Sequence, residues 1–183
     1  MALGDLYTNL QMLLRWLHVL FGIIWVGHLY FFNFVNAGMQ PTLDGPTKKI
    51  VNPQLLGRAF WWFRYGAMAT FVIGLLLFTQ LYMYTPGVGF GPSQLFSDAN
   101  GLTARAGWIL LGMTLATIMW INVWFVIWPA QSTILPAVRD GQPVDQALVR
   151  RATLASKTNT YLSGPMLFAM LAPNHYGGIN IVT

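Results

Sequence analysis

The sequence predicts an all-α integral membrane protein, a four-helix antiparallel bundle forming one domain over residues 1–183 with both termini on the outer, periplasmic side. Three observations carry this. Hydrophobic residues make up 55% of the chain and charged residues 8%. A soluble domain carries about 25% charged residues, so much of this surface must face something other than water. Four stretches approach the roughly 20 mostly apolar residues needed to cross a hydrocarbon core of about 30 Å. Lys and Arg gather in two of the connections between those stretches, and such asymmetry orients a chain in a bilayer.

The first span is expected from about Leu10 to Val35, with Thr8 or Asn9 as its N-cap. Its apolar run is longer than the core of a cleavable signal peptide. The second, "WWFRYGAMATFVIGLLLFTQLYMY", runs from Trp61 to Tyr84 and ends at Thr85-Pro86-Gly87. The third runs from about Arg105 to Trp128, where Pro129 is expected to stop it. The fourth, about Ala152 to Leu171, is the most polar. Its first half holds Thr153, Ser156, Lys157, Thr158, Asn159 and Thr160, and Pro165 falls in its middle. A helix of that kind survives in a bilayer when its polar face points into the bundle or lies near the interface.

The connection from Gly38 to Phe60 carries Lys48, Lys49 and Arg58, with Arg64 just beyond; the one from Ala130 to Arg151 carries Arg139, Arg150 and Arg151. Residues 85–104 and the tail after Pro173 carry no Lys or Arg. The positive-inside rule puts the two basic connections in the cytoplasm. Trp61, Trp62, Trp124 and Trp128 then fall at the inner boundary, and Trp16 and Trp108 near the outer one, as an aromatic belt requires. The glycine-rich connection "TPGVGFGPSQLFSDANG" is long enough to cover a site or dock a partner.

Several chemistries drop out. The chain has no cysteine, which removes disulfides, thiolate metal sites, iron–sulfur clusters and the Cys-x-x-Cys-His attachment of c-type haem. Glutamate is absent and none of the five acidic residues, all aspartates, lies within a span. That argues against a hydrolase constellation and a carboxylate-driven proton pathway. The net charge of +5 sits between apolar runs rather than on a solvated patch, so nucleic acid is not an expected partner.

Ionisable groups inside a span are costly and mark function. In the first span Arg15, His18, Gly22, Trp25 and then His28 or Leu29 recur at intervals of three or four and line one side of a helix. A histidine one turn from a glycine leaves a notch where a flat ring can approach the backbone. Haem b suits such a place, with imidazole on its iron and arginine on its propionates. His18 is the expected first axial ligand, with His175 or His28 as the second, Arg15 as the propionate partner, and Trp25 packed on the porphyrin. At 1.5 Å per residue His18 and His28 lie about 15 Å apart along the helix. His18 therefore shares an outer level with His175, and His28 an inner level with Arg64, Asn122, Lys157 and Asn159. Lys157 and Asn159 are candidate hydrogen-bonding groups for a quinone. A plainer reading stands beside each of these. A lone membrane histidine often bonds only to a neighbouring helix, Arg15 and Arg64 can snorkel to the interface, and Trp120, Trp124 and Trp128 have the spacing of packing residues.

Four stretches resemble the urate oxidase N-terminal family, the membrane domain of bacterial urate hydroxylases. "RWLHVLFGIIWVG" is similar to its opening helix. "WWFRYGAMATFVIGLLL" shares its paired aromatics and basic residue. "INVWFVIWPAQ" resembles a motif that ends a helix, and "TNTYLSGPMLFAMLAPNHY" its closing helix. The resemblance implies a redox protein of the bacterial inner membrane, with function at His18, Trp25, Asn122, Asn159, Tyr161 and His175. Full-length members carry a cytochrome c domain, so this cysteine-free chain is expected to be a short stand-alone form. It departs from the family pattern at His28 and at Ala130. Helix one is more distantly similar to small membrane protoporphyrinogen oxidases that bind haem b. The leading expectation is a haem b electron-transfer subunit of a larger membrane redox complex. The alternatives are a non-catalytic subunit stabilising a respiratory or photosynthetic complex, and an enzyme oxidising urate or a porphyrinogen with a partner cytochrome.

Overall fold

The computed structural model describes residues 6–92, 94–97 and 101–175. The chain ends, on which the placement of both termini rests, lie outside the described residues. Four long helices make up the fold: α1 (Leu6–Thr42), α2 (Gly45–Tyr82), α3 (Ala104–Asp140) and α4 (Gln146–His175). The first three are long and apolar enough to cross a membrane.

All four extend past the apolar spans read from sequence. α1 continues through a π-helical turn at Phe31–Asn36 and ends in a 3-10 turn at Gln40–Thr42. The expected basic connection from Gly38 to Phe60 is almost wholly helical, broken only at Leu43 and Asp44. Lys and Arg are good helix formers, so their charge marks where α2 leaves the apolar layer, not where it starts. Asp44 sets the start. Its side chain accepts the Thr47 N–H at 2.8 Å, and Pro46 occupies the first turn, where a missing N–H costs nothing.

Pro129 does not stop α3. A π-helical turn at Asn122–Ile127 precedes it, and Pro129 falls in the first turn of the α-helix that resumes at Trp128. The wider i→i+5 turn re-registers the backbone just where proline removes a donor. α3 ends at Gly141, whose φ of +67° is the left-handed cap that glycine takes without strain. α4 starts six residues before the expected Ala152 and carries both Pro165 and Pro173 within it. The glycine-rich connection folds into two small antiparallel hairpins, β1 (Tyr84–Thr85) with β2 (Gly89–Phe90) and β3 (Phe96–Ser97) with β4 (Gly101–Leu102).

Neighbouring helices run antiparallel. Tyr7 and His18 of α1 meet Gln80 and Thr70 of α2. Tyr65 and Phe71 of α2 meet Trp124 and Trp120 of α3, and Tyr30 and Asn33 of α1 meet Ser163 and Ser156 of α4. The core sits toward the basic end, where Trp25, Leu29 and Phe32 pack with Phe60, Phe63, Met119, Val123 and Met166. Phe32 stacks on Phe60 at 4.2 Å. The outward faces are apolar too, with Val19, Ile23, Leu76 and Phe125 exposed, as helices bathed in lipid require.

Candidate functional site

The stripe on α1 faces α2, which meets it with small residues four apart: Gly66, Thr70 and Gly74. This seam was visible in "GAMATFVIG" as a small-xxx-small pattern, the usual means of bringing two membrane helices close. A Cβ at Gly66 would fall 2.9 Å from Ile24 Cγ2 and 3.3 Å from the Trp25 backbone nitrogen. At Gly74 it would fall 2.9 Å from His18 Cε1, so the imidazole lies directly on the glycine backbone. Gly22 is less crowded, its nearest neighbour being the Thr70 methyl at 3.9 Å. The notch expected at Gly22 thus faces Thr70, and the glycine that receives a ring is Gly74 across the seam.

His18 Nδ1 is 3.0 Å from the Thr70 carbonyl oxygen. A carbonyl only accepts, so Nδ1 carries the proton and donates it, and in the neutral form of the ring the lone pair is on Nε2. That tautomer is the one a metal-ligating histidine holds, with its second nitrogen anchored to a backbone oxygen. Arg15, one turn outward, is half-buried, and its Nε is buried without a hydrogen-bond partner.

The remaining candidates are more dispersed. Trp25 is 1% exposed and belongs to the core cluster, and its indole N–H has no partner. His28 donates from Nδ1 to the Ile24 carbonyl of its own helix at 2.7 Å, and its ring lies 6.4 Å from that of Phe32. It is not brought to His18. His175 is exposed at the end of α4. Twelve residues along α4 from Ser163 reach His175, and twelve back along α1 from its partner Tyr30 reach His18, so the antiparallel register sets the two at similar heights.

Ser156, Asn159, Thr160 and Ser163 of α4 turn inward, while Thr153, Lys157 and Thr158 are exposed. Asn159 is fully buried, accepts the Asn122 amide at 2.8 Å and donates to the Met119 carbonyl at 2.9 Å. Ser163 shares a hydrogen bond with Tyr30 at 2.9 Å, and Ser156 accepts from Asn33 at 2.8 Å. These bonds make a polar helix tolerable inside an apolar bundle. Lys157 is exposed while Asn159 is buried with its amide engaged, so the structure does not bring the two together. Tyr161 is exposed as well. Arg64 rests over aromatic rings, 3.7 Å from the centroid of Trp128 and 4.6 Å from that of Tyr65.

Sequence reasoning missed a polar layer at the opposite end. Tyr7 donates its hydroxyl to the Gln80 carbonyl at 2.6 Å, Gln80 returns an amide bond to Tyr7 at 3.0 Å, and Arg105 stands 5.7 Å from the ring of buried Tyr82. Only the lone Arg105 at the start of a span hinted at it. Among the described residues no three His or Asp side chains gather to hold a bare metal ion.

A family model described as urate oxidase N-terminal matches residues 90–181. The match takes in β3, β4 and all of α3 and α4, with Asn122, Asn159, Tyr161 and His175, while His18 and the α1–α2 seam precede it. No curated protein and no solved structure matches the chain.

Proposed function

The chain belongs to the urate oxidase N-terminal family, and from that premise we propose that it is a haem b-binding electron-transfer subunit of the bacterial inner membrane. In this reading four helices span the bilayer, the basic end is cytoplasmic, and both termini are periplasmic. One observation carries the cofactor assignment. His18 donates from Nδ1 to the Thr70 carbonyl, which leaves Nε2 as a lone-pair donor on a helix that is long and apolar enough to cross a membrane. Arg15, with an unpartnered buried Nε one turn outward, supplies the cation that a propionate requires. His175, set at a similar height by the α1–α4 register, would be the second ligand. Haem b supplies reversible one-electron chemistry when bound. The role of the chain is to fix the imidazole tautomer through Thr70 and to hold the ring against Gly74.

The optical spectrum of the purified, detergent-solubilised chain tests this. A Soret band with reducible α and β bands is expected, lost in His18→Ala and kept in His28→Ala. A colourless protein refutes the cofactor. One observation favours a second reading, that of a non-catalytic subunit in a larger membrane complex: the stripe from His18 to Trp25 is closed by Thr70, Gly66 and Gly74 as a packing seam. A colourless, stable chain that co-purifies with a membrane assembly supports that reading. Oxidation of urate or a porphyrinogen is assayed as turnover with and without an added cytochrome, and electron passage to a quinone with a soluble quinone analogue.

A further inference from the structure

We propose that a groove on α2 at the basic end of the bundle binds the phosphate headgroup of an anionic phospholipid, with Arg58 as its cation. The proposal rests on the reading of α1–α3 as membrane-spanning. The groove has a volume of about 330 Å³ and is lined by Pro53, Gln54, Gly57, Arg58, Trp61 and Trp62. Gly57 leaves it open, since a Cβ there would meet nothing within 4 Å. Trp61 and Trp62 meet edge to face at 5.0 Å and are each about half exposed, the posture of indoles at a membrane interface. Trp61 continues to Tyr65 at 4.8 Å. Tyr65 and Trp128 in turn hold Arg64, whose buried Nε has no acceptor.

Charge favours an anion there. Among the described residues the one ion pair is Arg139 with Asp140, so neither Arg58 nor Arg64 is neutralised by a carboxylate. A Cβ at Gly141 would lie 2.7 Å from Lys49 Nζ, so a further cation crosses to the α3–α4 link, which Arg139 and Arg150 flank. An aromatic-walled, lipid-facing groove in a basic band suits a phospholipid better than a free anion, because its walls also hold the glycerol and first acyl carbons.

The test uses the full chain in nanodiscs and native mass spectrometry. Phosphatidylglycerol is expected to be retained in preference to phosphatidylcholine, and millimolar inorganic phosphate should not displace it. Each lost cation near a membrane surface weakens anionic lipid binding about fivefold. Arg58→Gln should therefore reduce retention about fivefold. Arg58→Lys and the off-groove Arg151→Gln should keep it within about twofold of the parent. Arg58 is exposed, and circular dichroism of Arg58→Gln checks that the helices are intact. Equal retention of the two lipids, or an Arg58→Gln protein that retains phosphatidylglycerol like the parent, overturns the site. A chain released from vesicles by alkaline carbonate refutes the membrane reading itself, whereas an embedded chain without lipid preference refutes only the groove.

Discussion

Three glycines along the α1–α2 seam make a graded experiment, because one substitution, Gly→Ala, meets three different neighbours. At Gly66 the new methyl falls about half an ångström short of ordinary contact with Ile24 Cγ2 and is tight against the Trp25 backbone nitrogen. A side-chain methyl can turn away, but a helix backbone cannot, so α1 and α2 must separate. Overpacking of this kind costs about 1–3 kcal/mol, against which alanine returns about 1 kcal/mol of helix propensity. At Gly22 the nearest atom is 3.9 Å away, and only the propensity gain remains. Subtracting the two variants cancels propensity, so Gly66→Ala should be less stable than Gly22→Ala by about 1–3 kcal/mol. Gly74→Ala presses on the His18 ring alone. The ring can swing off Thr70, losing a hydrogen bond of about 0.5–1.5 kcal/mol, and any Soret band should shift or weaken. The assay is reversible unfolding in dodecyl sulfate followed by circular dichroism, with absorption spectra taken in parallel. A Gly22→Ala protein as destabilised as Gly66→Ala would refute the seam, and an unchanged spectrum in a haem-loaded Gly74→Ala protein would refute its hold on His18.

Other outcomes follow from the same geometry. Asn159→Ala leaves the Asn122 amide without its acceptor and should cost about 1–3 kcal/mol; in the same unfolding assay the Asn122→Ala, Asn159→Ala pair should cost less than the sum of the single changes. The Asp44 carboxyl is held below its ordinary range chiefly by its hydrogen bond with Thr47. Its capping stabilisation is therefore complete above the usual carboxylate pKa of about 4 and is lost as pH falls through the lower folded value. Amide exchange at Thr47, corrected for intrinsic rates, should accelerate in that acid window in the parent and not in Asp44→Ala. With no native cysteine, single-cysteine labelling fixes orientation: Val88→Cys should react with an impermeant maleimide from the periplasm, and Gln142→Cys only after the membrane is opened. The reverse pattern would invert the assigned topology.

Much of the helical organisation was legible because apolar run length and cation placement are properties of local sequence. Helix ends were not. Lys48, Lys49 and Arg58 look like loop residues to a hydropathy reading, although Asp44 and Pro46 spell a helix start just ahead of them. Pro129 looked terminal because proline breaks an α-helix, and a π-helical turn upstream is not written in residue types. The inward polarity expected of α4 from the cost of polar groups in lipid holds at Ser156, Asn159 and Thr160, while Thr153, Lys157 and Thr158 are exposed. The partner of His18 was harder. Which side of α1 meets α2 depends on rotation about the helix axis, which periodicity defines only as a stripe. The small-residue spacing at Gly66, Thr70 and Gly74 was the available signal, and it marks a seam between two helices rather than an opening for a ring at Gly22.

The wide turn at Asn122–Ile127 also acts as a phase corrector. In an α-helix of 3.6 residues per turn, side chains four apart drift steadily around the axis, so a ladder at Trp120, Trp124 and Trp128 would spiral away from its neighbour. A turn that holds extra backbone winds the last of these back. The three indoles thereby meet Phe71, Tyr65 and Arg64 of α2 in succession. The length of this segment is then as constrained as its composition. Were the same six residues wound as an ordinary α-helix, Trp128 would turn away from Arg64 and leave that guanidinium the Tyr65 ring of its own helix, with no residue it touches changed.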